Sequence, residues 1–81
     1  MVIVLFFEQL NNQMSELTVA FGLKVRQQRK LKKISQEKLA LLCNIDRSYM
    51  GRIERGEVNI TLEKIYDIAY SLDVDVKELL P

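Results

Sequence analysis

The chain has 81 residues, the size of one domain, and a core this small buries only about 60% of the unfolded surface, so dimerisation would help it. With 48% hydrophobic and 28% charged residues the composition is that of a folded chain, and three Gly and one Pro give too little turn punctuation for a many-stranded β fold. One Cys excludes an internal disulfide, the lack of His argues against a zinc site, and the net charge of +1 conceals an uneven distribution that becomes clear along the chain.

Met1 to Phe7, MVIVLFF, is apolar but too short for a membrane span or the hydrophobic region of a signal sequence, and it has no basic lead-in. Three readings stay open for it: a strand pairing with its copy in a dimer, a loose tail, or an extension upstream of the true start, with Met14 as a second initiator. Uncovered, Val2 to Phe7 has the β-propensity and low charge of an aggregation-prone strand. Residues 1–15 are accordingly set apart as an N-terminal extension of unclear role, and residues 16–81 as the domain.

Glu16 to about Leu31 reads as the first helix, with Leu17, Phe21, Val25 and Gln28 on one face and Arg29 at its border. Lys24, Arg26, Arg29, Lys30, Lys32 and Lys33 form a run without an acid. Apart from Arg29, these suit a solvated or phosphate-facing surface better than base reading.

Ser35 is a good N-cap for a second helix, opened by Gln36 and Glu37 and striped by Leu39, Leu42 and Cys43. Cys43 reads as a small buried hydrophobe, with a redox-sensing thiol as the alternative. Cys43-Asn44-Ile45 breaks the pattern, Asp46 caps a third helix to about Arg55, and Gly56 stands where a left-handed residue stops a helix. Helix, short turn, helix is the layout of the helix-turn-helix motif.

On the third helix Tyr49, Met50 and Ile53 point inward; Arg47, Ser48, Gly51, Arg52 and Arg55 fall on the other side. A guanidinium can pair bidentately with guanine O6 and N7, Ser can bond a base edge or phosphate, and Gly lets a helix approach a backbone closely. The plainer reading is a solvated helix face. Such a face tends to mix its signs at neighbouring turns, whereas this one is wholly cationic.

Glu57 to Ile60 is a loop, and Thr61 caps a fourth helix to about Ser71 whose core stripe is Leu62, Ile65, Ala69 and Leu72. Tyr66, Ile68 and Tyr70 widen its apolar sector to about half the circumference. Asp75 and Glu78 form a capping box for a last, fifth helical turn with Val76, Leu79 and Leu80 as its apolar set. One core could take all of this; a two-fold dimer interface formed by Tyr66, Tyr70, Val76, Leu79 and Leu80 fits the excess better. Beyond Gly56 acids outnumber bases, so one end of the molecule should attract a polyanion and the other point away from it. There is no His, no Gly-rich phosphate loop and no nucleophile–base pair, so the chain is read as a non-enzyme without metal or organic cofactor.

Ser35-Gln36-Glu37, Leu39-Ala40 and Ile53-Glu54-Arg55-Gly56 resemble the DNA-binding core of the lambda-repressor-like (Cro/C1 or XRE-type) helix-turn-helix family. Asn44 to Tyr49 followed by Ile53 to Gly56 looks most like the controller proteins of restriction–modification systems, and the resemblance covers about Phe21 to Leu80. It implies an all-α, five-helix, cytoplasmic DNA-binding domain acting as a homodimer on a palindromic double-stranded DNA operator, with RNA polymerase as a further partner. On such a domain the outer face of the third helix makes Arg47, Ser48 and Arg52, with Tyr49 at the margin, the expected base contacts, and Gln36, Arg55 and Asn59 the expected backbone contacts. The resemblance also makes Arg29 and Glu54 a partly buried salt bridge between first and third helices. The regulator would control its own gene and a neighbouring nuclease gene. Arg52 and Val58 depart from the controller pattern, which bears on the operator sequence and on one phosphate contact. Three rival readings stand beside this one: a phage-type repressor, an antitoxin-like module whose main partner is a protein, and a purely structural bundle.

Overall fold

A computed structural model describes the backbone of residues 2–81 and the side chains of residues 16–81. Four α-helices follow one another: α1 (Val2–Leu31), α2 (Gln36–Leu42), α3 (Arg47–Glu54) and α4 (Leu62–Leu72), with a three-residue 3-10 turn, Val76–Glu78, after them. The side chains of the 1–15 extension, and with them Met14 as a second start, lie outside the described residues. Its backbone is helical from Val2, so α1 starts well before Glu16 and the strand reading of Val2 to Phe7 is not what forms.

Side-chain caps set the helix starts. Ser35 accepts from the Lys38 amide at 3.0 Å, Asp46 from Ser48 at 3.2 Å, and Thr61 from Lys64 at 3.2 Å. The helix ends share one device. Each of the four stops at a left-handed residue: Lys33, Asn44, Gly56 and Asp73. The amide of that residue bonds the carbonyl three back, and the next amide bonds the carbonyl five back. This is the Schellman arrangement, which satisfies the last carbonyls of a helix and reverses the chain at once.

The expected fifth α-helix is not formed. Asp75 caps the Lys77 amide at 2.9 Å instead of closing a capping box, and the bonds Glu78 to Asp75 and Leu79 to Val76 span three residues, the tighter 3-10 pattern. That winding delivers Leu79 into the core, where it is fully buried and therefore not on a surface that another chain could touch.

The core joins Phe21 and Val25 of α1, Leu39 and Ala40 of α2, Met50 and Ile53 of α3, and Ile68, Ala69 and Leu72 of α4 around Leu79. Three residues expected in the apolar stripes, Leu17, Leu42 and Leu62, are instead half-exposed or more. Leu17 lines an apolar groove open to solvent. Leu42 is turned off the line that Leu39, Ala40 and Cys43 share. Ile68, assigned from periodicity to the outer sector, lies wholly inside.

Candidate nucleic-acid interface

The third helix is held against α1 by a close approach of backbones. A Cβ on Gly22, in the middle of α1, would lie 2.5 Å from the carbonyl oxygens of Ile53 and Glu54. Only a residue without a side chain lets the last turn of α3 come so near. Beside this contact the Glu54 carboxylate is buried and fully occupied. Arg29 Nε donates to Oε2 at 2.8 Å and Nη2 to Oε1 at 3.0 Å, while Gln36 Nε2 donates to Oε1 at 3.3 Å. The remaining guanidinium nitrogen, Nη1, donates to the Ile34 carbonyl at 3.1 Å. With 12% of the Arg29 side chain and 3% of the Glu54 side chain exposed, this is a two-pronged ion pair nearly out of water. It ties α1, the α1–α2 turn, α2 and α3 to one point.

On the outer side of α3, Arg47, Ser48, Arg52 and Arg55 are exposed, and Tyr49 is half-buried against the core. Gly51, assigned to this face, is in fact buried, with the end of Arg55 and the Gln36 carboxamide over it. The Ser48 hydroxyl donates to the Asp46 carboxylate, and that bond is the main reason the Asp46 carboxyl is held below its ordinary range. Ser48 therefore offers its oxygen outward as an acceptor. At the other end of α3, Glu57 takes a bond from Arg55 Nε at 2.6 Å and stands 4.0 Å from Arg52 Nε.

Four of the five other members of the basic run, Arg26, Lys30, Lys32 and Lys33, are exposed and Lys24 is half-buried, while Arg29 is used inside the protein. Lys32 reaches across to the Asp73 carbonyl, 3.4 Å away, at the end of α4. Gln36 is half-buried, with its amide nitrogen committed to Glu54, and Asn59 is exposed in the loop before α4. Burial raises the Cys43 thiol above its ordinary value, which keeps it protonated and unreactive near neutral pH.

On the far side, Tyr66 and Leu80 are exposed, Tyr70 is 89% exposed, and Val76 is half-buried. Leu80 also lines an apolar groove of about 380 Å³ whose walls include Leu17, Phe21, Ile60 and Ile65. Among the described residues no helix is long and apolar enough to cross a membrane, and no three His, Cys, Asp or Glu side chains gather as ligands.

Two features of the site escaped the reading of the sequence. Glu57 reads from sequence as a loop residue, and its place directly after Gly56 is the signal that it returns to α3. Gly22, a glycine in the middle of a helix, was passed over.

Residues 25–79 match the family model described as Helix-turn-helix. The chain is 45% identical over 67 residues to Control protein C.BamHI of Bacillus amyloliquefaciens, a match spanning 82% of this chain and 83% of that protein. Control protein C.SmaI of Serratia marcescens is 39% identical over 56 residues, 69% of this chain and 67% of its own. The fold superposes on the crystal structure of the restriction-modification controller protein C.AhdI from Aeromonas hydrophila with a TM-score of 0.75 and 44% identity, covering 78% of this chain and 96% of that one.

Proposed function

We propose, from the premise that this chain belongs to the helix-turn-helix family, that it is a sequence-specific DNA-binding regulator of transcription serving a restriction–modification system. It acts in the cytoplasm as a homodimer on a palindromic operator, with no chemistry of its own. The observation that carries this reading is the outer face of α3, where Arg47, Ser48 and Arg52 stand exposed on a helix anchored from behind by Arg29–Glu54 and Gly22. Guanidiniums on a fixed helix can meet guanine edges bidentately, and the Ser48 oxygen suits a base amino group. Tyr49 lies at the margin of that set. Gln36, at the start of α2, and Arg55 and Asn59 beyond α3 would serve to position phosphates.

A two-fold dimer formed through Tyr66, Tyr70, Val76 and Leu80 sets two copies of α3 about 34 Å apart, one turn of B-DNA. The acids of α4 and of the last turn then face away from the duplex, and that outer surface is free for RNA polymerase. The regulated genes are its own and that of the companion nuclease.

Alanine variants at Arg47 and Arg52 test the assignment. Each is expected to weaken binding to the duplex upstream of its own gene by ~1–3 kcal/mol and to relax preference at one or two base pairs. Equal losses on a scrambled duplex would place both side chains on phosphates and remove them as base readers.

A further inference from the structure

Glu57 is an acid built into the cationic end of α3, and its position is fixed by backbone. Gly56 is left-handed, with φ +73, and a Cβ there would lie 2.5 Å from the Cα of Val19. The Glu57 amide closes onto the Arg52 carbonyl at 2.9 Å, and the Gly56 carbonyl accepts from the Thr18 hydroxyl at 3.1 Å. The turn is thus gripped by α1 on one side and by the end of α3 on the other. It sends the chain back so that the Glu57 carboxylate meets Arg55 Nε at 2.6 Å with Arg52 Nε at 4.0 Å. Of the three ion pairs found among the described residues, two belong to this one carboxylate.

We propose that Glu57 is a specificity-determining residue that restrains Arg52 and Arg55 in the free protein and so disfavours binding to DNA of the wrong sequence. This rests on the reading of α3 as the recognition helix. A phosphate group of any duplex offers a guanidinium little that the Glu57 carboxylate does not already supply, since each is an anion with two acceptor oxygens. On unrelated DNA, taking Arg52 or Arg55 from Glu57 exchanges one such contact for another and leaves the carboxylate beside a polyanion. A guanine edge offers Arg52 two aligned acceptors without adding a charge, so the same exchange is favourable only at the right base. The acid therefore subtracts from the sequence-independent part of binding more than from the part that reads sequence.

Both pairs are solvent-exposed, which limits the expected effect to a small multiple rather than orders of magnitude. The test compares wild type with Glu57→Gln by fluorescence anisotropy on two duplexes, the sequence upstream of its own gene and a scrambled version, at two salt concentrations. Glu57→Gln should bind the scrambled duplex about three- to tenfold more tightly, with a steeper salt dependence, while the upstream duplex gains less. The ratio of the two affinities then falls. An unchanged ratio, or weaker binding to both duplexes by Glu57→Gln, would overturn the proposal and leave Glu57 as a solvated or merely structural acid. If wild type itself does not prefer the upstream duplex, the recognition-helix reading fails first, which is a separate result visible in the same titration.

Discussion

The inner end of α3 and the outer face of α4 handle polar and apolar groups in opposite ways. Behind α3 a buried carboxylate is met by Arg29 and Gln36, and among the described residues no buried side-chain nitrogen or oxygen lacks a partner. On α4, Leu62, Tyr66 and Tyr70 stand exposed to water. The first region is finished within one chain: its charges are placed so that α3 cannot shift without exposing or orphaning one of them. The second has the surplus of aromatic surface that a second copy would cover, at 150–250 Å² for each fully buried ring, by the usual order of magnitude. Rigidity at one side and an uncovered aromatic surface at the other are what the proposed dimer requires.

The contrast breaks most sharply at Glu54. Glu54→Ala leaves the Arg29 guanidinium nearly buried without its carboxylate, and urea denaturation should show a loss of ~3–5 kcal/mol. A loss below about 1 kcal/mol would mean that α3 is held by apolar packing alone. Gly22→Ala comes next. Its methyl group would meet two backbone carbonyls, which cannot rotate away as a side chain would, and a loss of ~1–3 kcal/mol is expected in the same assay.

On the α4 side, Tyr70→Glu should leave the melting of the isolated chain nearly unchanged while weakening self-association by at least ~1 kcal/mol, read by sedimentation equilibrium. Unaltered association would move the interface off α4. Leu79→Asp cannot serve here, because Leu79 is core and its loss would unfold the chain.

The smallest effect is in pH. The Asp46 carboxyl is held low by the Ser48 hydroxyl, and the Glu57 carboxyl is held low by Arg55. Groups lowered on folding stabilise the folded state above their unfolded values, and that contribution disappears as pH falls through the folded ones. Denaturation midpoints should therefore drop below about pH 4, with Asp46→Asn flattening part of the slope and added salt shrinking the Glu57 share.

Much of this was legible in residues. Ser35, Asp46 and Thr61 are side chains whose oxygen can cap, Gly56 is the residue that turns left-handed most easily, and the family resemblance pairs Arg29 with Glu54. The stops at Lys33, Asn44 and Asp73 are harder to read, because φ above zero costs an L-residue energy and, although Asn and Asp tolerate it better, composition does not single out which one takes it. Leu17 and Leu62 fall in their expected stripes by angle and are nevertheless exposed. A helical wheel gives the angle of a residue around its axis and its neighbours' stripe, but not how far along the axis the partner helix reaches. Leu79 and Leu80 show the limit most plainly: adjacent leucines in a 3-10 turn point apart, and which one enters the core depends on a winding that composition does not reveal. The clasp of Glu57 on two arginines needs the geometry of the Gly56 turn, so charge counting alone passes over it.

The most direct measurement is a titration of the wild-type protein against the DNA just upstream of its own gene, with scrambled competitor, at two salt concentrations. Tight binding that resists competitor, with two chains per operator, is the expected result. Binding no better than to scrambled DNA, and lost entirely at the higher salt, would reduce the cationic face of α3 to non-specific charge attraction and contradict sequence reading by α3.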